Sequence, residues 1–247
     1  MSLPVFIHPD LSAATAGDSI TLSGPEARHA VTVKRMQQGE QLVLIDGTGI
    51  RLILNVTETA GKDHLTGTVG SVTRSPAPNP RVTVVQAIPK SERAELAVDL
   101  ATQAGADEII AWQAERCVAK WDGKKAPKAV AKWQAAAEAA AKQSRRDRIP
   151  QIRGPLTTRQ LLVELTERAE SARVLVLHEE ATESIRAVDL RSEILLLVGP
   201  EGGIGEEELN MLRAAGAVPV KLGPEVVRTA SAAMVALAAI GMRTERW

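Results

Sequence analysis

Two glycine- and proline-rich loops near the carboxyl end of the chain have the composition of a ligand site. The first, residues 199–205, reads GPEGGIG; it follows the apolar run LLLV and precedes three consecutive glutamates. The second, residues 222–229, reads LGPEVVRT and precedes an alanine-rich apolar stretch. Glycine lets the backbone approach a bound molecule closely. Two such loops, each between a strand and a helix, indicate one ligand surrounded largely by backbone.

The composition of the first loop narrows the kind of ligand. No Gly-Lys-Ser/Thr follows it, and its glycines do not have the spacing of a dinucleotide fingerprint. The three glutamates at the helix start suit the positive end of the helix but would repel a phosphate. We therefore expect a neutral or cationic ligand here, with a tight strand-to-helix turn and no ligand as the alternative.

Arg228 is the side chain beside these loops that could act on a substrate. It precedes Thr229, which is a candidate N-cap for the last helix. A guanidinium in this place could hold an anionic substrate atom or an RNA phosphate, or it could form a surface ion pair.

Composition indicates an ordinary globular protein. The chain has 247 residues, 45% of them hydrophobic, and a formal net charge of zero. No apolar run is long enough for a membrane span, and the first residues lack the pattern of a signal peptide. With Cys117 alone no intrachain disulfide can form, which favours a reducing cytoplasm. One Cys and four scattered His do not have the spacing of a structural zinc site, and no metal is predicted.

Positive charge is concentrated between Arg116 and Arg148. This segment carries ten lysines or arginines and three acidic residues. It is either a solvated helix face or a surface that binds nucleic-acid phosphates. Aromatic residues are scarce and tyrosine is absent, so a platform on which bases stack is not expected.

The order of elements predicts two domains. Residues 1–74 contain alternating strands, a hairpin at Asp46-Gly47 and one helix from about residue 25 to 36, which together favour a small β-barrel. Residues 75–80 hold three prolines and form a linker. In residues 81–247 strands alternate with helices, which predicts an α/β domain with a mostly parallel sheet covered on both faces. The predicted strands are 82–88, 108–112, 173–178, 193–198 and 218–222, and the predicted helices are 91–103, 127–145, 156–171, 206–215 and 229–242.

The two loops and several further motifs of this chain resemble those of a known family. The paired loops, VGPEGG at 198–203 and LGPEVVRT at 222–229, are similar to the cofactor loops of the SPOUT methyltransferases. The whole chain resembles the RsmE family, the 16S rRNA uridine N3-methyltransferases of that class. Further motifs fall in the family's order: HAVTVKR at 29–35, Lys90, GADEII at 105–110, Glu115-Arg116, and QSRRDRIP at 143–150.

The resemblance implies a fold, a cofactor and partners. The fold would be a PUA-like β-barrel followed by a SPOUT α/β domain with a trefoil knot. The cofactor would be S-adenosyl-L-methionine, the partner 16S rRNA or the small ribosomal subunit, and the protein a homodimer. Arg228 is the candidate catalytic residue. The expected cofactor-binding residues are Leu177, His178, Val198, Gly199, Pro200, Glu201, Gly202, Leu222, Gly223, Val226, Val227, Arg228 and Ala233. The expected RNA-binding residues are His29, Lys34, Arg35, Arg116, Arg146 and Arg148.

Four positions depart from the family pattern. Pro4 stands where an arginine is usual, Gln103 and Lys142 each where a glutamate is usual, and Ala230 where an acidic residue is frequent. The departures at Gln103 and Ala230 leave open a non-catalytic RNA-binding or ribosome-assembly factor on the same fold. A SPOUT methyltransferase that modifies another rRNA position is the second alternative, because phosphate contacts do not specify sequence.

Overall fold

The chain divides into two compact units. The computed structural model describes residues 3–247, apart from the side chains of residues 91 and 92. The first unit runs to Ala77 and also includes Ala141–Ile149. The second unit comprises Pro78–Ala140 and Pro150–Trp247. The sequence placed a single boundary at the proline-rich linker, so the return of residues 141–149 to the first unit differs from that expectation.

The first unit is built on a five-stranded sheet with the order β1-β3-β4-β5-β2. Apart from a parallel contact between β1 and β3, its strand pairs are antiparallel. Apolar side chains on the strands form one core, which includes Phe6, Leu44, Leu54 and Leu65. Its elements are β1 (Val5–Ile7), β2 (Ser19–Ser23), α1 (Gly24–Arg28), a π-helical turn (His29–Val33), β3 (Gln41–Ile45), β4 (Ile50–Ala60) and β5 (His64–Arg74).

The predicted hairpin forms between β3 and β4, with a longer turn than a two-residue loop. The Asp46 carboxylate accepts hydrogen bonds from the backbone N–H groups of Thr48, Gly49 and Ile50, at 2.8, 3.1 and 2.9 Å. These bonds, which aspartate commonly makes in turns, organise the chain reversal. The register pairs Leu42 with Leu54, so the apolar residues of the two strands share the core.

Two elements of this unit differ from the sequence prediction. The helix expected over residues 25–36 is split into α1 and the π-helical turn His29–Val33. Strand β2 was not predicted, because its sequence SITLS is short and mostly polar. It forms because β5 offers a free edge, with which it pairs in antiparallel register.

Ion pairs explain why residues 141–149 belong to the first unit. Lys142 Nζ lies 2.6 Å from Glu26 Oε1, and Asp147 Oδ1 lies 2.5 Å from Arg51 Nε. The guanidinium of Arg148 donates to the carbonyl of Ser75 at 2.8 Å. Each contact joins residues more than seventy positions apart, so no local pattern could reveal it.

The second unit is a six-stranded parallel sheet with the order β11-β9-β10-β6-β7-β8. This confirms the mixed α/β class, and most predicted elements of this part lie within two residues of their observed bounds. They are β6 (Arg81–Ala87), α2 (Ser91–Gln103), β7 (Glu108–Gln113), α3 (Lys125–Ser144), β8 (Gln151–Thr157), α4 (Thr158–Arg168), β9 (Ala172–Leu177), β10 (Glu193–Val198), α5 (Glu206–Ala214), β11 (Val218–Val220) and α6 (Thr229–Gly241).

Strand β8 was missed by the sequence prediction. It contains Gly154 and Pro155, which are depleted in strand interiors. The strand nevertheless pairs with β7, with a register irregularity at this point. Helix α4 therefore begins at Thr158 rather than at residue 156, and Thr157 caps it reciprocally with Gln160.

The strands and helices that carry the two loops are packed into the core of the second unit. Residues 194–198 of β10 are buried, since parallel strands are covered on both faces. Helix α6 packs against α2, β6 and β10.

Among the described residues, no helix is both long and apolar enough to cross a bilayer. The same residues contain no cluster of three or more His, Cys, Asp or Glu suited to a metal ion.

Candidate active site

A cavity of about 410 Å³ lies at the carboxyl ends of β9, β10 and β11. Both glycine- and proline-rich loops line it, as does the start of α6. Strands β11, β9, β10 and β6 are neighbours in the parallel sheet, so the segments that leave them meet at one edge. The volume of the cavity is typical of a small-molecule site. Two loops separated in sequence thus border a single cavity within the second unit.

The first loop turns sharply where β10 ends, and it depends on glycine to do so. A Cβ on Gly199 would lie 2.8 Å from Cγ1 of Ile204, which is too close for a side chain. Gly203 has φ +69° and donates its N–H to the carbonyl of Pro200 at 2.9 Å. The loop therefore folds back on itself through Ile204 before α5 begins.

Two side-chain contacts fix the first loop from outside. Arg116 Nη1 donates to the carbonyl of Gly202 at 3.1 Å. Glu201 Oε1 accepts the backbone N–H of Lys90 at 3.1 Å, which ties the loop to the segment that follows β6. The loop is therefore held from the carboxyl ends of both β6 and β7.

The second loop leads from β11 into α6 and is mostly exposed. Val226 is 79% exposed, although it is apolar. Arg228 is exposed at the N-cap position, and its carbonyl accepts the N–H groups of Ser231 and Ala232 at 2.8 and 3.0 Å. Thr229 was the expected N-cap but is the first residue of the helix, and it is buried.

The structure brings most of the predicted cofactor residues to this cavity. Gly202 and Ala233 do not line it: a Cβ on Gly202 would meet Arg116, and Ala233 is buried within α6. Whether the lining residues contact a ligand stays a prediction. Those that line the cavity are Leu177, His178, Val198, Gly199, Pro200, Glu201, Leu222, Gly223, Val226, Val227 and Arg228.

Charged residues that the sequence interpretation missed also line the cavity. Lys221 follows β11 directly, Glu179 is the second residue after β9, and Glu225 lies within the second loop. Arg93 reaches the cavity from the first turn of α2. The signal that could have found the first two is their position just after a parallel strand, where side chains reach the binding edge.

The walls of the cavity mix apolar surface with charges of both signs. Three carboxylates (Glu179, Glu201 and Glu225) and three cations (Arg93, Lys221 and Arg228) line it. Of these six residues Arg93 alone is half-buried, and the others are exposed.

The nearby Cys117 is buried, and burial raises the pKa of its thiol to about 11. This thiol is therefore protonated at neutral pH and unsuited to nucleophilic catalysis.

The predicted RNA-binding residues are distributed over both units. In the first unit, His29 packs edge-to-face on Phe6 with ring centroids 5.7 Å apart, at the start of the π-helical turn. Lys34 and Arg35 follow that turn and are exposed. Arg35 has φ +56°, a conformation that non-glycine residues rarely adopt and that is common at functional sites.

The remaining predicted RNA-binding residues are already engaged within the protein. Arg146 is half-buried in the first unit, and Arg148 bonds to the Ser75 carbonyl. Arg116 holds the first loop while remaining exposed. Exposed lysines of the second unit extend the positive charge, at Lys120, Lys124, Lys125, Lys128 and Lys132.

The positions that depart from the family pattern have structural roles. Lys142 pairs with Glu26, and Gln103 donates to Asp99 Oδ2 at 2.8 Å. The Pro4 carbonyl accepts the N–H of Val43, which supports the first strand pair. Ala230 is buried in the first turn of α6.

Comparison with known proteins decides the family. Residues 76–241 match the model of an RNA methyltransferase domain, and residues 22–69 match that of an RNA methyltransferase PUA domain. Ribosomal RNA small subunit methyltransferase E of Mycobacterium tuberculosis is 52% identical over 244 residues, covering 97% of this chain and 90% of the relative. The chain belongs to the ribosomal RNA small subunit methyltransferase E family.

One further relative and one solved structure support the same family. Ribosomal RNA small subunit methyltransferase E of Bacillus subtilis is 30% identical, covering 92% of this chain and 91% of the relative. A solved structure assigned as a methyltransferase of Legionella pneumophila, in complex with the bound cofactor SAM, is 28% identical, with a TM-score of 0.86 and 98% coverage of both chains. The predicted family, with its SPOUT-type α/β fold and PUA-like domain, is thereby confirmed.

Proposed function

We propose that this protein transfers a methyl group from S-adenosyl-L-methionine to N3 of a uridine in 16S rRNA. Family membership supports rRNA methylation, and the cavity between the two loops is the observation that carries the proposal. The choice of N3 of uracil rests on the resemblance to the uridine N3-methyltransferases. We also propose a cytoplasmic location, which action on ribosomal RNA supports.

The residues of the cavity suit S-adenosylmethionine. Leu177, Leu222, Val226 and Val227 offer apolar surface to the adenosine. The cavity carboxylates suit a ligand that carries a sulfonium, in line with the neutral or cationic ligand expected from the first loop. The Legionella relative, in complex with SAM, has the same overall fold.

The chain's residues would mainly bind and orient the two reactants. When bound, the cofactor supplies a methyl group already activated by the sulfonium. Solvent would take the proton from uridine N3, and the cofactor would supply the methyl group that N3 then accepts. Orientation of this kind can contribute on the order of 7–11 kcal/mol.

Arg228 is the residue that would stabilise the reacting uracil. Deprotonation at N3 places negative charge on the two flanking carbonyl oxygens, and a nearby cation lowers the energy of that state. The Arg228 side chain lines the cavity, is exposed and has no hydrogen-bond partner among the described residues. Its guanidinium is therefore available to a substrate that enters from solvent.

Positively charged surfaces would capture the RNA. In the first unit these are Lys34 and Arg35 beside His29, and in the second the exposed lysines near α3. Phosphate contacts of this kind position an RNA without reading its sequence. We therefore assign affinity, rather than the choice of uridine, to these residues.

We also propose that the protein is a homodimer with a trefoil knot, as the family resemblance implies. Helix α6 supports the dimer, since Met234 and Val235 are 39% and 42% exposed on an apolar helix whose other residues are buried or half-buried. Analytical ultracentrifugation tests it, and a monomer at micromolar concentration would refute the dimer.

The decisive experiment compares rRNA from cells with and without the gene by mass spectrometry. Loss of one 3-methyluridine from 16S rRNA, restored by the wild-type gene, is the expected result. Loss of a methyl group elsewhere would identify another rRNA position. No change in methylation, with a defect in subunit assembly, would identify the non-catalytic alternative.

A further inference from the structure

Arg93 is the half-buried cation of the cavity, and its side chain has no ion pair or hydrogen bond among the described residues. A guanidinium withdrawn from water is stable when an anion compensates it. The part of the chain that the structure describes pairs no carboxylate with it, although Glu201 lines the same cavity. Arg93 therefore lies where an anionic group of a ligand would complete its surroundings.

Arg93 and Glu201 are held near each other by the backbone of one residue. The Lys90 N–H donates to Glu201 Oε1 at 3.1 Å, and the Lys90 carbonyl accepts the N–H of Arg93 at 2.9 Å. The two residues also follow neighbouring strands, β10 and β6. A carboxylate and a guanidinium thus line one cavity from segments that Lys90 joins, without pairing with each other.

We propose that Arg93 and Glu201 bind the zwitterionic amino-acid end of the cofactor, Arg93 its carboxylate and Glu201 its ammonium group. An α-amino acid presents these opposite charges on one carbon, so a cation and an anion that line the same cavity suit it. The inference rests on the proposed function, since it assigns one end of the S-adenosylmethionine site.

The remaining charges of the cavity are less suited to this role. Glu179 and Lys221 follow β9 and β11, on the other side of β10 from β6, and Lys221 is exposed whereas Arg93 is half-buried. Strands β11 and β6 are three spacings apart, roughly 14 Å. The adenosine would then lie toward β9 and β11, among Leu177 and Leu222.

The test compares two ligands that differ only at the amino-acid end. S-adenosylhomocysteine carries that end and 5′-methylthioadenosine lacks it, while both have a neutral sulfur. Calorimetry on the wild-type protein should show roughly tenfold or greater preference for S-adenosylhomocysteine, the scale of one charge-assisted contact. Arg93→Ala and Glu201→Gln should each remove most of this preference and leave affinity for methylthioadenosine unchanged.

The variants are chosen to preserve the fold. Glutamine at position 201 retains an oxygen that can accept the Lys90 N–H, and Arg93→Lys should restore part of the preference. Arg159→Ala and Glu207→Gln are matched controls, because both are exposed residues in the first turn of a helix and neither lines the cavity. Neither control should alter the preference.

Other outcomes overturn the proposal in distinguishable ways. If Arg93→Ala leaves the ligand preference intact and lowers RNA affinity instead, Arg93 is an RNA contact. If Glu179→Gln and Lys221→Ala abolish the preference while the Arg93 and Glu201 variants keep it, the amino-acid end binds near Glu179 and Lys221 instead. A wild-type protein that binds neither ligand refutes the proposed cofactor together with this subsite.

Discussion

The guanidinium of Arg116 donates a hydrogen bond to the carbonyl of Gly202, at 3.1 Å, and so joins the segment after β7 to the first cavity loop. A Cβ on Gly205 would also lie 3.5 Å from Arg116 Nε, so this side chain lies along the loop. The sequence interpretation assigned Arg116 to RNA. Its position gives it a second role, in holding the loop that borders the proposed cofactor.

Replacing Arg116 with alanine should weaken cofactor binding. Loss of one partly exposed hydrogen bond to the loop should lower affinity for S-adenosylhomocysteine about three- to tenfold in calorimetry. Arg159→Ala, at an exposed arginine away from the cavity, should have no effect. Unchanged cofactor affinity together with weaker RNA binding would leave Arg116 as an RNA contact alone.

Replacing Arg228 with alanine should slow turnover far more than it weakens cofactor binding. Removal of a charge that acts on the transition state typically lowers kcat about 100- to 1,000-fold. The affinity for S-adenosylmethionine should change by less than about threefold, because the guanidinium is exposed and assigned to the uracil. Methylation of small subunits with labelled cofactor measures the first quantity and calorimetry the second. Equal losses in both would contradict the role.

Gly199→Ala should disrupt the first loop. Its Cβ would lie 2.8 Å from Ile204 Cγ1, so the loop must shift and cofactor affinity should fall roughly tenfold or more. Gly223→Ala is the matched control in the second loop, where the new Cβ would meet only Glu225 Oε2 at 3.7 Å.

A double variant tests whether the contact with Ile204 causes the loss of cofactor affinity. In Gly199→Ala with Ile204→Ala the obstructing atom is removed, so part of the affinity lost by the single variant should return. If the single variant binds as the wild type does, the loop is more adaptable than its packing indicates.

Arg35→Gly should lower RNA affinity without harming the fold. Glycine adopts φ +56° without strain, so this change removes the side chain at a backbone position that suits the new residue. Titration of 16S rRNA at several salt concentrations should give a slope of log affinity against log salt that is smaller by about 1. An unchanged slope would exclude a phosphate contact at Arg35.

Acid should weaken the contact between α4 and β8. The Arg153 guanidinium bonds both carboxylate oxygens of Glu164, at 2.7 and 2.6 Å, and holds the pKa of that carboxyl below its usual value. A lowered folded-state pKa contributes stability above the unfolded pKa, near 4.3, and that contribution is lost as pH falls through the folded value. Glu164→Gln should therefore be less stable than wild type at pH 7.

Urea unfolding measures this difference, and it should shrink steadily below about pH 4. Glu167→Gln, at an exposed glutamate on the same helix, is the control and should match wild type at both pH values. A difference that persists at pH 2 would show that Glu164 acts through packing rather than charge.

Local chemistry in the sequence was sufficient for several features. Apolar runs followed by glycine and proline predicted β10, the first loop and α5, because strand periodicity and turn residues act over a few positions. The alternation of strands and helices after the proline-rich linker predicted the parallel α/β unit for the same reason. The paired loops also carried the family resemblance that the comparisons confirm.

The tertiary structure alone decided which distant residues share a surface. It brought Arg93 of α2 and Glu201 of the first loop to one cavity, paired Lys142 with Glu26, and included residues 141–149 in the first unit. It also made a strand of residues 151–157 despite Gly154 and Pro155. These outcomes depend on contacts between segments far apart in the chain, and such contacts leave no periodic signal in the sequence that forms them.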